Sequence, residues 1–133
     1  MKSLEGVCVL AIVLVGVGGF LGSILRYLVG GWVHRALDNP WFPYGTLFVN
    51  LIGCLVIGFL GGLTENRQVF DPEARLFLFL GVLGGFTTFS SFAYETSALL
   101  NDGQFVAASI NVGLQVMLGL VAVWTGSFLS RLI

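Results

Sequence analysis

The sequence predicts an all-α integral membrane protein with four transmembrane helices, the third of them interrupted near mid-membrane. Hydrophobic residues make up 56% of the 133 residues and charged residues only 10%, whereas a soluble domain carries about 25% charged residues. The 19 glycines also exceed the usual share of roughly 7%, and glycine within apolar sequence is typical of packed membrane helices. The chain has too little polar surface for a soluble globule and too much apolar sequence for disorder.

Four apolar segments predict the helices, which we expect at about residues 4–33, 45–64, 74–100 and 103–131. Their uncharged runs contain 20, 25, 19 and 28 residues in chain order, close to the roughly 20 that cross a bilayer. Because these helices take up nearly the whole chain, we expect residues 1–133 to form a single transmembrane domain.

Turn and capping signals separate the four segments. Two prolines within residues 39–43 exclude a helix interior between the first and second helices. Asp71 followed by Pro72 is typical of an N-cap and the first helical residue, so the third helix begins there. Residues 101–103, with the sequence Asn-Asp-Gly, predict a tight turn before the fourth helix.

The third helix carries the most unusual pattern, Gly84-Gly85-Phe86-Thr87-Thr88-Phe89-Ser90-Ser91-Phe92. A glycine pair weakens a helix because each glycine costs about 1 kcal/mol relative to alanine, and hydroxyl side chains compete for backbone carbonyls. We therefore expect an interruption here, with freed carbonyl groups that must be satisfied by protein or by an ion. Thr88, Ser91 and Glu95 form a polar face beside the phenylalanines.

Several other polar side chains lie within the apolar segments, where their cost makes them candidates for an ion pathway. Thr46 and Asn50 share one face of the second helix, and Asn111 and Gln115 share one face of the fourth. For the amides, the alternatives are hydrogen bonding between helices and the lining of a polar pathway. Arg26 either extends toward the headgroups or attracts an anion.

The sequence argues against several classes of function. It contains no nucleophile with a base and no cluster of metal-ligating side chains, so we predict that the protein is not an enzyme. A net charge of -1 provides no basic surface for nucleic acid. Since four short helices rarely enclose a pathway alone, we expect a homo-oligomer. Lys2, Arg67, Arg75 and Arg131 share the predicted side of the termini against Arg35, with Arg26 near a helix end, on the other. This distribution favours termini inside, but so few charges make a weak bias that permits insertion in both orientations.

Two motifs stand out, Gly45-Thr46-Leu47-Phe48-Val49-Asn50 on the predicted second helix and residues 84–92 on the third. They resemble, in that order, the G-T-L-x-V-N signature and the G-G-x-T-T-F-S-T-F segment of the small bacterial Fluc (CrcB-type) fluoride channels. Arg26 after a glycine-rich first helix also matches, and the resemblance covers all four helices in order. Ser91 stands where the family often has threonine, a change that keeps the hydroxyl.

The resemblance implies a fluoride-selective channel that exports cytoplasmic fluoride passively, through two pathways in an antiparallel, dual-topology homodimer of the bacterial inner membrane. It implies a structural Na⁺, not transported, that is held by backbone carbonyls of Gly84 and Thr87. Asn50 would donate to the anion, and the ring edges of Phe89 and Phe92 would face it. The other residues expected along the route are Thr46, Ser90, Ser91, Glu95 and Arg26, with Asn111 and Gln115 as a further candidate polar track.

Two other classes of function stay open from the residues alone. A small multidrug exporter is also a four-helix dimer, but its proton coupling needs a carboxylate midway along the first helix. The first helix here has none between Glu5 and Arg26. A purely structural assembly subunit would leave the pattern of Asn50, Phe89 and Phe92 without an explanation. Anion flux into liposomes distinguishes these alternatives.

Overall fold

The computed structural model describes residues 4–38, 41–67 and 69–133, within which every regular element is a helix. These elements are α1 (Leu4–Ala36), α2 (Tyr44–Arg67), α3 (Pro72–Arg75), a π-helical segment (Leu76–Leu83), α4 (Gly84–Phe86), α5 (Phe89–Asn101) and α6 (Phe105–Ser130). The elements from α3 to α5 form one span, Pro72–Asn101. Four spans are therefore long and apolar enough to cross a membrane, as the sequence predicted.

The helix ends follow the local chemistry of the connectors. α1 continues to Ala36, three residues beyond its predicted end, and is followed by Asp38 at a φ of 49°, a left-handed conformation that aspartate tolerates better than most residues. The carboxylate of Asp71 accepts from the Ala74 N–H at 2.7 Å, the N-cap contact expected before Pro72. Positions 39 and 40 of the predicted proline turn lie outside the described residues.

The third span is interrupted at its centre, as the sequence predicted. Its π-helical segment leads into the single turn of α4, after which Thr87 and Thr88 are extended, with ψ values of 158° and 111°. α5 then begins at Phe89, and the Thr88 Oγ1 accepts from the Ser91 N–H at 3.1 Å. Thr88 is thus the N-cap of a new helix within the apolar span.

Glycines allow two close helix pairs, one of which involves the segment before the interruption. α1 packs along the π-helical segment and α4, where a Cβ on Gly22 would overlap the carbonyl oxygen of Val82. α2 packs against α6, where a Cβ on Gly58 would overlap the carbonyl oxygen of Val123. Such backbone approach is the usual role of small residues in membrane helices.

The outer surface is largely apolar, while the most buried apolar cluster lies at one end of the bundle. Exposed side chains include Ile12, Trp32 and Leu120, which suits contact with lipid. The buried cluster contains Phe42, Leu47, Leu99, Ala107 and Ala108. It joins the segment before α2, the start of α2, the end of α5 and the start of α6, and so fixes the end of the bundle opposite the start of α1 and the end of α6.

The crossing of α2 and α6 predicts the effect of a single methyl group. Gly58→Ala should lower the free energy of unfolding by about 1–3 kcal/mol, the usual cost of overpacking, because the new Cβ meets backbone that cannot rotate away. Gly61→Ala is the matched control in the same helix, where a Cβ meets no atom within 4 Å. Thermal unfolding in detergent, followed by tryptophan fluorescence, compares the two variants. Equal midpoints would contradict this account of the crossing.

Candidate functional site

Asn50 on α2 is bound to the backbone of the helix interruption. Its Oδ1 accepts from the Thr88 N–H at 2.8 Å, and its Nδ2 donates to the Thr88 carbonyl at 3.1 Å. In a continuous helix these two backbone groups would bond to residues four positions away. One side chain from another helix therefore satisfies both polar groups of Thr88, and the interruption is tied to α2.

The same amide extends the connection to α6. Asn50 Nδ2 also donates to Gln115 Oε1 at 3.1 Å, so both hydrogens of Nδ2 have acceptors. Gln115 Nε2 is buried and has no hydrogen-bond partner among the described residues. Asn50 thus joins α2, the interruption and α6, while a donor group of Gln115 is left unused.

Two cavities meet at the interruption. The aromatic cavity has a volume of about 370 Å³, and its wall includes Asn50, Gly84, Thr87, Thr88, Phe89, Phe92 and Gln115. The polar cavity has a volume of about 850 Å³, and its wall includes Arg26, Thr46, Thr88, Ser91, Glu95 and Asp102. Thr88 lines both cavities. The residues predicted along one ion route are therefore divided between two spaces that adjoin at the N-cap of α5.

The aromatic cavity contains both candidate phenylalanines. The ring centroids of Phe89 and Phe92 lie 5.5 Å apart with an interplanar angle of 64°, an edge-to-face arrangement. Phe89 is 78% exposed on the single chain. Such an exposed ring is not part of a closed core, and it leaves one side of the cavity open at the protein surface.

The polar cavity brings together hydroxyl groups and charged side chains of opposite sign. Thr46 Oγ1 donates to Glu95 Oε1 at 2.7 Å, while Glu95 Oε2 is buried without a partner among the described residues. Thr88 Oγ1 donates to Ser91 Oγ at 3.0 Å. Arg26 Nη1 lies 3.5 Å from the Thr87 carbonyl, so this guanidinium points into the protein at the interruption and does not simply extend toward headgroups.

Two of the predicted residues lie away from both cavity walls. Ser90 is exposed, and its hydroxyl lies 3.3 Å from Thr88 Oγ1. Asn111 is completely buried and donates from Nδ2 to Thr96 Oγ1 at 2.9 Å. Asn111 therefore makes the hydrogen bond between helices that was one of the two alternatives for it. The candidate track on α6 is divided, because only Gln115 reaches a cavity.

Sequence reasoning gave Thr88 only a place on a polar face, although the structure puts it at the junction of the two cavities. The sequence did contain an indication of this role. Threonine is a favoured N-cap residue, and Thr88 lies three residues after the glycine pair, where a new helical segment begins. Ser23 and Asp102 also line the polar cavity without having been identified as candidates. Their position there depends on how the helices pack, which no local pattern encodes.

The carbonyl groups of Gly84 and Thr87 have the chemistry that a small hard cation requires. The Thr88 N–H, which would donate to the Gly84 carbonyl in a continuous helix, donates to Asn50 instead. Freed carbonyls of interrupted helices are ligands for Na⁺ in membrane proteins. Two carbonyls fit only part of the coordination shell of such a cation. The described residues contain no cluster of three or more acidic, histidine or cysteine side chains that would bind a metal.

Comparison with known proteins identifies close relatives along nearly the full chain. The family described as CrcB-like protein, Camphor Resistance (CrcB), matches residues 13–127. The "Fluoride-specific ion channel FluC" of Nitratidesulfovibrio vulgaris (strain DSM 19637 / Miyazaki F) is 44% identical over 122 residues, which cover 92% of this chain and 98% of the relative. The protein of the same name from Rhizobium meliloti (strain 1021) is 48% identical over 120 residues, covering 90% and 95%. The chain therefore belongs to the CrcB-like family.

Proposed function

We propose that this chain forms a fluoride-selective channel that exports cytoplasmic fluoride by passive conduction. The observation that carries the proposal is the aromatic cavity, which combines amide groups and ring edges at a helix interruption within the membrane. Relatives that share 44–48% of their residues with it are named fluoride-specific channels. Membership of this family also supports a membrane channel and gives no support for an enzyme.

The chemistry of the aromatic cavity suits an anion. The edge of a phenyl ring is the positive part of its quadrupole, and an amide N–H is a donor, so both attract a small anion. Within the part of the chain that the structure describes, no carboxylate lines this cavity. The walls therefore attract fluoride without a full opposite charge, and such weak binding allows the ion to leave again.

The polar cavity serves as an entrance to this site. Arg26 provides a positive charge that attracts anions, and the hydroxyls of Thr46, Ser91 and Thr88 provide donors along the wall. Glu95 lies on the same wall with the Thr46 hydroxyl bound to one of its oxygens. Ser90 is proposed for the route through its contact with Thr88.

Passive conduction is favoured over proton-coupled export. A multidrug exporter of this size depends on a carboxylate midway along its first helix, and the sequence from residue 6 to residue 25 contains no charged side chain. Glu95 lies on α5 and lines the polar cavity, so it does not take that position. None of the relatives described above is named as an exporter.

We propose that two copies assemble as an antiparallel homodimer with two fluoride pathways in the bacterial inner membrane, each chain being a single transmembrane domain. The exposure of Phe89 supports this assembly, because it leaves the aromatic cavity open on the surface of one chain. Gly84 is exposed as well. Carbonyls of Gly84 and Thr87 from both copies would hold the structural Na⁺, which would supply a fixed positive charge between the two chains.

Fluoride efflux from liposomes tests the proposed function directly. Purified protein in liposomes loaded with potassium fluoride should release fluoride once a potassium ionophore removes the membrane voltage. Chloride release from matched liposomes should equal that of protein-free liposomes, because fluoride is smaller than chloride and accepts stronger hydrogen bonds from the amide donors of the aromatic cavity. Equal release of the two anions, or release only under a proton gradient, would contradict the proposal.

Replacement of the phenylalanines tests whether their ring edges contact the ion. Phe89→Leu and Phe92→Leu should each slow fluoride efflux by about fivefold, since an aromatic quadrupole interaction is worth about 1 kcal/mol and leucine lacks it. Phe105→Leu is the matched control, because Phe105 is exposed at the start of α6 and lines neither cavity. Size-exclusion profiles establish that each variant is folded. Wild-type fluoride efflux in both Phe89→Leu and Phe92→Leu would indicate that these rings serve packing and do not contact the ion.

A crystal structure grown in Na⁺ tests the assembly and the cation together. It should contain two chains of opposite orientation, with a cation on their two-fold axis bound by the carbonyls of Gly84 and Thr87 from each chain. Those carbonyls are the expected ligands because their helical donors are engaged elsewhere: the Thr88 N–H donates to Asn50, and the Ser91 N–H donates to Thr88 Oγ1. Parallel chains, or a water molecule at that position, would count against the proposal.

A further inference from the structure

We propose that His34 makes the entry of fluoride into the polar cavity depend on pH, because a protonated imidazole there attracts the anion and a neutral one does not. This inference rests on the proposed fluoride channel and deepens it by adding a form of regulation. His34 lies in the last turn of α1 and lines the polar cavity. Its charge therefore acts at the mouth of the proposed route.

One face of α1 carries both basic side chains of the polar cavity. The residues that α1 contributes to this wall are Ser23, Arg26, Tyr27, Gly30, Gly31 and His34. Their steps of three and four residues place them on a single helix face. Arg26 Nη1 lies 3.5 Å from the Thr87 carbonyl at the helix interruption, and His34 follows about 12 Å further along the helix axis, at 1.5 Å per residue. The two basic side chains thus lie at the inner and outer ends of the same wall.

The wall between these two ends is open, because glycines occupy it. A Cβ on Gly31 would meet none of the described atoms within 4 Å, and a Cβ on Gly30 would lie at an ordinary contact distance of 3.8 Å from Val49 Cγ2. On the cavity face of α1, no side chain therefore separates His34 from Tyr27 and Arg26. An anion attracted to the mouth has free space along α1 toward the guanidinium.

The other charged groups of the wall leave it without an excess of positive charge while the imidazole is neutral. Among the described residues, the other titratable or charged side chains on this wall are Arg26, Tyr27, Glu95 and Asp102. The residues that α2 contributes to it are uncharged. Arg35 and Asp38, which follow His34 in the chain, are exposed and of opposite sign. The guanidinium is matched by the Asp102 carboxylate alone and is outweighed when Glu95 is ionised as well. A proton on His34 adds a positive charge in either case.

One charge at the mouth is enough to change the rate of ion capture. Histidine is the side chain that ordinarily changes its charge between about pH 5 and pH 8. His34 is exposed, so its field is that of a charge in water. Such a charge changes the local concentration of a monovalent ion about 7 Å away by about threefold. Fluoride efflux that is limited by capture should therefore be about threefold faster with the imidazolium than with the neutral ring.

Fluoride efflux from liposomes at about pH 6 and about pH 8 tests this inference. The same buffer on both sides makes the result independent of orientation, and fluoride is kept low enough for capture to limit the rate. Release from protein-free liposomes is subtracted at each pH. Wild type should be about threefold faster at the lower pH. His34→Gln, which is always neutral, should show the slower rate at both pH values, and His34→Lys, which is always charged, the faster rate at both.

Two controls separate an electrostatic effect at the mouth from other effects of pH. Arg35→Gln removes a positive charge from the next residue, which does not line the polar cavity, and should keep the wild-type ratio between the two pH values. An impermeant salt at about 1 M shortens the screening length from about 8 Å to about 3 Å. It should abolish the wild-type ratio, whereas a change of structure on protonation would survive the added salt.

Each outcome bears on the inference. Equal wild-type rates at both pH values overturn it, and so does a wild-type ratio that persists in His34→Gln, in His34→Lys or in the concentrated salt. A ratio that is lost in both variants, with His34→Lys fast and His34→Gln slow, supports it, provided that size-exclusion profiles match wild type. Failure of wild type to release fluoride at either pH overturns the proposed function instead, so the two failures are distinguishable.

Discussion

The structure depends on the pairing of one side chain with the backbone of a broken helix. A helix interruption within the hydrocarbon region exposes backbone polar groups, and each unsatisfied group costs several kcal/mol. Asn50 accepts from the Thr88 N–H and donates to the Thr88 carbonyl, so it compensates both groups at once. The glycine pair and the hydroxyls weaken the helix locally. The Asn50 amide then satisfies the backbone groups of the extended segment, which allows the helix to remain interrupted within the apolar span.

The interruption creates the two spaces on which the proposed channel relies. Extended backbone at Thr87 and Thr88 separates α4 from α5, and Thr88 lies on the walls of both cavities. The close glycine contacts at Gly22 and Gly58 keep the surrounding helices at fixed separation. The extended backbone at Thr87 and Thr88 is therefore surrounded by helices that pack closely against one another.

The two cavities differ in chemistry in a way that suits passage of an anion. The polar cavity holds Arg26 and Glu95 together with several hydroxyls, a setting in which a hydrated ion can enter. Among the described residues, the aromatic cavity has no charged side chain on its wall, which includes two phenylalanine rings together with Asn50 and Gln115. In the proposed route, an ion that passes from the polar cavity to the aromatic cavity would exchange water for uncharged donors, whose weak binding would allow its release.

The sequence by itself determined the four spans, the capped start of α3 and the interruption, because hydropathy, helix propensity and capping are local properties of the chain. Tertiary structure decided which polar groups meet. Asn111 and Gln115 share a face of α6, yet Asn111 binds Thr96 and Gln115 lines the aromatic cavity. Asn111 meets α5, whereas Gln115, one turn further along α6, meets Asn50 of α2. Ser90 adjoins Ser91 in sequence but lies on the outer side of α5. The rotation and depth of each helix relative to its neighbours set these contacts, and they arise from packing across helices that no single segment specifies.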